Sequence, residues 1–183
     1  MPTRIAWLAP ALALAVALLG GCATMSEKEC RTADWRDVGY RDGKAGYPRS
    51  RMAEHADACR KVGVTVDPQA YDTGRVRGLN QYCTPENGLD QGLHGGSYRN
   101  VCPPNFEPGF LRNYRAGREV YDQRNLVDSL DSDRGRLETK LDKADSDDER
   151  KRIRNQLHEL DYRLRTEREI LYIKENAVRG GVL

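Results

Sequence analysis

The chain has 183 residues, a length that suits one domain or one domain with an appendage. Its 30 Lys and Arg residues nearly balance 28 Asp and Glu residues, which argues against nucleic acid as a partner because that role needs a basic face. Hydrophobic residues make up 38% of the chain, so the core must be modest.

The first element is an apolar run over residues 5–19, with Arg4 in front of it and no charge inside. The run has the length of a signal-peptide core and is too short to span a bilayer. Gly20 and Gly21 follow, and then Cys22, an ending that resembles the lipobox of bacterial lipoproteins. The resemblance implies that residues 1–21 are a signal peptide and that Cys22 carries palmitate-type acyl chains. The alternative is an ordinary secretory signal with a chance cysteine.

A lipid anchor of this kind would place the protein in the cell envelope. Each buried methylene contributes ~0.8 kcal/mol, so a triacylated cysteine resides stably in a membrane. Ala23 follows the cysteine, and the resemblance to enterobacterial lipoproteins implies that a residue other than Asp here permits export to the outer membrane. We therefore expect a lipoprotein of a Gram-negative outer membrane, with residues 22–33 as a short polar tether.

Four cysteines remain after lipidation, all in the first half of the mature chain: Cys30, Cys59, Cys83 and Cys102. An even number in an exported protein predicts two disulfides. Three pairings exist, and we favour Cys30–Cys59 with Cys83–Cys102 because these close the shorter loops. The alternative is a metal site, but the spacings contain no C-x2-C pair. We expect no metal and no cofactor.

Residues 34–121 carry a weak internal repeat, in which an aromatic or apolar residue precedes a glycine and a small residue often follows four positions on. The instances begin at Trp35, Tyr71, Leu89 and Tyr114. The glycines either line a helix face and admit another backbone, or they mark turns. A glycine inside a helix costs ~1 kcal/mol, so we favour helices for the second and fourth instances, whose flanks carry helix-start signals.

The strongest helix signals in this region surround the second instance. Asp67 before Pro68 is typical of an N-cap followed by proline at the first helical position, and the helix should reach Tyr82. Before it, residues 50–62 also predict a helix, with Gly63 as its C-terminal stop.

Several blocks of this region resemble a family of proteobacterial lipoproteins catalogued as domain of unknown function 2799. The similarity covers about residues 30–121, and its most specific block is Tyr-Cys-Thr-Pro-x-Asn-Gly, residues 82–88. The other blocks are Asp34-Trp35, Gly39-Tyr40, Asp42-Gly43, Tyr71-x-x-Gly74-Arg75, Val101-Cys102-Pro103 and Tyr114-x-x-Gly117-Arg118. The resemblance implies compartment and fold but brings no activity.

The last part, residues 122–183, has few glycines, dense charge and leucines at intervals of three and four. This spacing is typical of a coiled-coil seam. Ser146 and Glu149 form an S-x-x-E capping box that interrupts the seam, which predicts two antiparallel helices. With the turn centred near residue 147, facing positions sum to about 294, so Leu130 should meet Leu164. Val127 should meet Glu167 or Arg168, where the seam weakens.

The register makes further predictions for both ends of the hairpin. Leu137 should face Leu157, Leu141 should face Ile153, and the stem of Arg134 should cover Leu160. At the base, Ile170 and Ile173 should reach Tyr121 and Val120.

No catalytic constellation is visible, so we do not expect an enzyme. His55 and His94 are the histidines to weigh, and an alternative is a ligand-binding protein or hydrolase with a pocket near them. Asp37 and Asp42 suggest turn capping more than acid–base chemistry.

The predicted fold is all-α: a small glycine-rich domain stapled by disulfides, then a helical hairpin. The predicted function is a lipid-anchored structural or interaction protein whose hairpin meets another envelope protein.

Overall fold

The computed structural model of the protein describes residues 24–180, and this part of the chain is helical without strands. The predicted signal peptide and Cys22 lie outside the described residues. No described helix is both long and apolar enough to cross a membrane. The all-α prediction is confirmed. The helices are α1 (Glu27–Arg31), α2 (Trp35–Lys44), α3 (Arg51–Arg60), α4 (Pro68–Tyr82), α5 (Pro85–Leu93), α6 (Glu107–Asp142) and α7 (Asp147–Arg179).

The chain divides into two compact units, and the division falls within α4. The first unit contains residues 24–43 and Tyr47–Gly78 of the described chain. The second contains Lys44–Gly46 and everything from Leu79 onward. The boundary that we predicted between residues 121 and 122 falls inside α6, so the predicted domain and the predicted hairpin share one continuous helix.

The segment expected to be a polar tether is folded from residue 24 onward. Ser26 caps α1, because its hydroxyl accepts from the Glu29 amide while the Glu29 carboxylate accepts from the Ser26 amide at 2.7 Å. Met25 and Cys30 are buried in the core of the first unit. The tether prediction is therefore wrong for residues 24–33, since a capped helix with an apolar face packs there.

Both disulfides of the favoured pairing are present. Cys30 bonds to Cys59 and Cys83 bonds to Cys102, one bridge in each unit. The predicted helix after Asp67 is also confirmed, because the Asp67 carboxylate accepts from the amides of residues 69 and 70 at 3.0 Å.

Glycines bring α2 and α4 into backbone contact in the first unit. A Cβ atom on Gly39 would overlap the carbonyl of Tyr71, and one on Gly74 would overlap the carbonyl of Arg36. The instance that begins at Trp35 is therefore a helix, although we favoured helices only for the second and fourth instances. The close approach of two backbones offsets the helical cost of the glycines.

The second unit repeats this arrangement with α5 and the first half of α6. A Cβ atom on Gly88 would overlap the Phe110 carbonyl, and one on Gly92 would overlap the Tyr114 carbonyl. From the other side, a Cβ atom on Gly117 would lie 2.5 Å from the Leu89 carbonyl oxygen. The instance that begins at Leu89 is thus helical too, with Thr84 as its N-cap.

The repeat extends to the residues that follow each first helix. Gly46 lies three residues after Gly43 of α2, and Gly95 lies three residues after Gly92 of α5. Both adopt positive φ angles, 65° and 71°. A Cβ atom on Gly46 would overlap the ring of Tyr82, and one on Gly95 would overlap the ring of Tyr121. The internal repeat is therefore a structural unit: helix, left-handed glycine, connecting segment and second helix, with one disulfide for each copy.

The second half of α6 and α7 form the predicted antiparallel hairpin around a turn at residues 143–146. The Ser146 hydroxyl accepts from the Glu149 amide at 3.2 Å and begins α7, and Gly180 ends it. The most buried part of the seam is a cluster of Val127, Leu130 and Leu164.

The predicted contacts are confirmed in the middle of the hairpin and are wrong towards its base. Leu130 and Leu164 share one cluster as predicted. Val127 is buried, and Leu171 packs against the cluster that contains it. The predicted weakening of the seam at Val127 is therefore wrong. Ile173 is 60% exposed rather than packed on the base, because it follows Leu171 by two residues and so lies about 200° around the helix.

Candidate functional site

A buried polar network lies in the first unit, and Asp42 is its centre. The Asp42 carboxylate, on α2, accepts hydrogen bonds from Nε2 of His55 at 2.9 Å and from the Tyr71 hydroxyl at 2.6 Å. His55 is on α3 and Tyr71 on α4, so three helices supply the network. The other ring nitrogen of His55, Nδ1, lies 2.8 Å from the Thr24 hydroxyl.

The electrostatics of this network favour an ionised carboxylate held by two donors. Burial by itself would raise the pKa of Asp42, but the hydrogen bonds from His55 and Tyr71 outweigh burial and lower it. Burial and the Asp42 carboxylate both raise the pKa of the Tyr71 hydroxyl. All three side chains of the network are hydrogen-bonded, and the phenol stays protonated as a donor.

The hydrogen bonds of this network hold α2, α3 and α4 together. Tyr71 is fully buried, and Asp42 and His55 are 8% and 4% exposed. A substrate would have to displace helix contacts to reach them. The network thus accounts for His55 as a structural residue, and it gives Asp42 an interhelical role in place of the predicted turn capping.

His94 lies in the second unit and has different surroundings. It ends α5, its Nδ1 lies 2.8 Å from the Asp90 carbonyl oxygen, and its side chain is mostly exposed. Its partners therefore come from its own helix. No group of three or more His, Cys, Asp or Glu residues in the described part of the chain could hold a metal ion.

Three tyrosines pack in the aromatic core of the second unit. Tyr82, Tyr98 and Tyr114 surround Phe110, with ring centroids 4.9 to 6.0 Å from its ring. The Tyr98 hydroxyl donates to Glu107 at 2.6 Å, and burial together with this carboxylate raises the pKa of Tyr98 to about 12. Aromatic packing rather than a binding surface explains this cluster.

A groove runs along the distal hairpin between α6 and α7. It has a volume of about 710 Å³ and contains two half-buried leucines, Leu137 and Leu160. Charged side chains of both signs border it: Asp133, Arg136, Lys140, Glu159 and Arg163. The two-helix seam covers these leucines only in part, so some apolar surface with a mixed-charge border is left open to solvent.

The outer face of α7 exposes further apolar side chains. Tyr162 and Ile173 are 63% and 60% exposed. They are eleven residues apart, close to three helical turns, so they share one face. Tyr172 is equally exposed but lies about a quarter-turn away. Sequence reasoning missed this face because it assigned Ile173 to the hairpin base.

The described part of the chain is thus all-helical, with disulfide-stapled helix pairs followed by a helical hairpin. Residues 34–119 match the model of the family described as "Protein of unknown function (DUF2799)". The match ends inside α6, so the hairpin lies beyond it. Neither the curated proteins nor the solved structures give a match to the chain.

Proposed function

We propose that the protein is a lipid-anchored component of a Gram-negative outer membrane whose helical hairpin binds another envelope protein. The anchor rests on the lipobox-like sequence that ends at Cys22. Two disulfides among the other four cysteines fit an oxidising compartment such as the periplasm.

The observation that carries the proposal is the uncovered apolar surface of the hairpin. A hairpin that served only as a spacer would need no apolar side chains on its outside. Here Leu137 and Leu160 border a groove, and Tyr162 and Ile173 stand out from α7. Tyrosine is among the residues that carry binding energy at interfaces when a partner desolvates it.

The groove also indicates the chemistry of its partner. A long apolar strip between two helices accepts the apolar face of a third helix. Two acidic and three basic side chains border the groove, so the partner helix should carry both acidic and basic side chains beside its apolar stripe. This border would set orientation and register, while the leucines would supply most of the affinity.

Site-specific photocrosslinking in intact cells tests the partner. A photoreactive residue at position 162 should give one discrete adduct with another envelope protein, and Leu160→Ala should reduce its yield. The matched control is the same residue at position 172, which is as exposed but on a different face. Equal adducts from both positions, or none from position 162, would contradict the proposal.

The anchor has its own test. Mass spectrometry of the mature protein should find a diacylglyceryl group on Cys22 as the first residue, and Cys22→Ser should abolish that processing. A mature chain that begins elsewhere, with an unmodified Cys22, would disprove lipid anchoring.

A further inference from the structure

The folded chain begins very close to the proposed anchor, and we infer that the first unit lies directly on the lipid surface, with no tether between them. The inference rests on the proposed lipidation of Cys22 and adds the position of the domain relative to the bilayer. The first unit contacts the headgroup layer of the membrane that holds the anchor.

The fold holds the chain from residue 24. The Thr24 hydroxyl lies 2.8 Å from His55, and His55 is fixed in turn by Asp42 at 2.9 Å. Met25 is 8% exposed and packs in the core of the first unit. Cys30 then bonds α1 to α3 through Cys59. Three independent contacts within seven residues therefore keep this segment on the domain.

The chain between the anchor and this attachment is short. Two residues of extended backbone span at most about 7 Å, so the Cα atoms of Cys22 and Thr24 can be no farther apart than that. The acyl chains of a lipidated cysteine lie in the hydrocarbon, which keeps the cysteine backbone at the level of the headgroups. The surface around Thr24 must then touch or nearly touch those headgroups.

The exposed residues next to Thr24 suit a headgroup layer without charge selectivity. The exposed charges of residues 26–31 are Glu27, Lys28, Glu29 and Arg31, two of each sign. The unit gains no strong attraction to anionic lipid from them. The length of the chain, rather than electrostatics, places the domain on the bilayer.

The buried polar network around Asp42 also affects how the domain is held at its anchor. Because His55 joins Thr24 to Asp42, the same hydrogen bonds that hold α2, α3 and α4 together also hold Thr24 on the domain, two residues from the anchor. A long flexible tether would let the domain move away from the membrane.

The test uses the mature chain from Cys22 onward, coupled through that residue to maleimide lipid in phosphatidylcholine vesicles. The other four cysteines are in disulfides, so Cys22 is the one free thiol. A fluorescent amino acid at position 28 reports contact with nitroxide-labelled headgroups. The matched control carries twenty Gly and Ser residues inserted between Ala23 and Thr24.

We expect strong quenching without the insertion and a drop of roughly threefold or more with it, since twenty flexible residues have a mean span of about 25 Å. Weak quenching in both proteins, or equal quenching in both, would overturn the inference. The synthetic linkage makes the result independent of natural acylation, so the mass spectrometry of Cys22 can fail while this test succeeds, and the reverse.

Discussion

The two halves of α6 hold their neighbours by different means. The first half meets α5 through glycines, and the carbonyl of Leu89 lies where a Cβ atom of Gly117 would be. The second half meets α7 through a seam of Val127, Leu130 and Leu164. The first contact depends on backbone shape and admits no added atom. The second depends on side-chain burial and leaves part of its apolar surface uncovered.

This difference supports the proposal that one end of α6 belongs to a fixed core and the other binds a partner. Glycine contacts are short range, so a small separation of the helices loses them. A leucine seam tolerates local change, and its half-buried members at Leu137 and Leu160 can gain burial from a third helix. The predictions that follow test this contrast, from the largest expected effect to the smallest.

Gly117→Val should give the largest loss of stability. Its Cβ atom would lie 2.5 Å from the Leu89 carbonyl oxygen and 2.7 Å from the Leu93 nitrogen, and both are backbone atoms that cannot rotate away. The helices must separate, which should cost about 3 kcal/mol or more in the free energy of unfolding. Urea unfolding measures this loss.

Gly109→Val is the matched control on the same helix. A Cβ atom there meets only the Pro85 side chain, at an ordinary 3.5 Å. Its effect should stay within about 1 kcal/mol. Comparable losses for both variants would mean that valine in α6, rather than backbone contact with α5, sets the cost.

The glycine repeat shows where prediction from the sequence succeeded and where it stopped. Local signals identified the helix after Asp67, because an N-cap and a first-turn proline act within a few residues. The glycines at positions 39 and 92 are also helical, yet their local cost favoured turns. The cost of a helical glycine is offset by contact with the backbone of another helix that is distant in sequence. A local sequence pattern does not show that contact.

Loss of the Cys83–Cys102 disulfide should have the next largest effect. The bridge closes a loop of 19 residues, so the double variant Cys83→Ser/Cys102→Ser should lose about 3 kcal/mol. Because α7 has no bridge, hydrogen exchange should accelerate most in α5 and least in α7. Uniform acceleration through both helices would show that the glycine contact and the leucine seam unfold as one unit.

Leu164→Ala should cost about 2 to 3 kcal/mol, since Leu164 is 2% exposed at the centre of the seam. The comparison is Leu137→Ala, which should cost only about 1 kcal/mol because that side chain is half-buried beside the groove. Urea unfolding of both variants measures the contrast. Equal losses would show that the groove is closed in solution and unavailable to a partner.

The hairpin register teaches a related lesson about candidate sites. Leucine spacing predicted the meeting of Leu130 and Leu164, because burial of a regular stripe determines which faces pack. Towards the base, polar contacts of Gln123 with Glu167 and of Arg124 with Glu175 join the two helices. The spacing of apolar residues does not show which face of α7 makes these contacts, and so the exposed position of Ile173 was not predicted.

Gly135→Ala should produce the smallest change and the opposite sign. Gly135 is exposed in the hairpin half of α6, and a Cβ atom there would meet nothing within 4 Å. Alanine should therefore stabilise the protein by about 0.5 to 1 kcal/mol through helix propensity alone. Urea unfolding at two protein concentrations measures the gain, which should be the same at both. A loss that grows with concentration would mean that a second chain packs against Gly135, and that this half of α6 also uses a glycine for backbone contact.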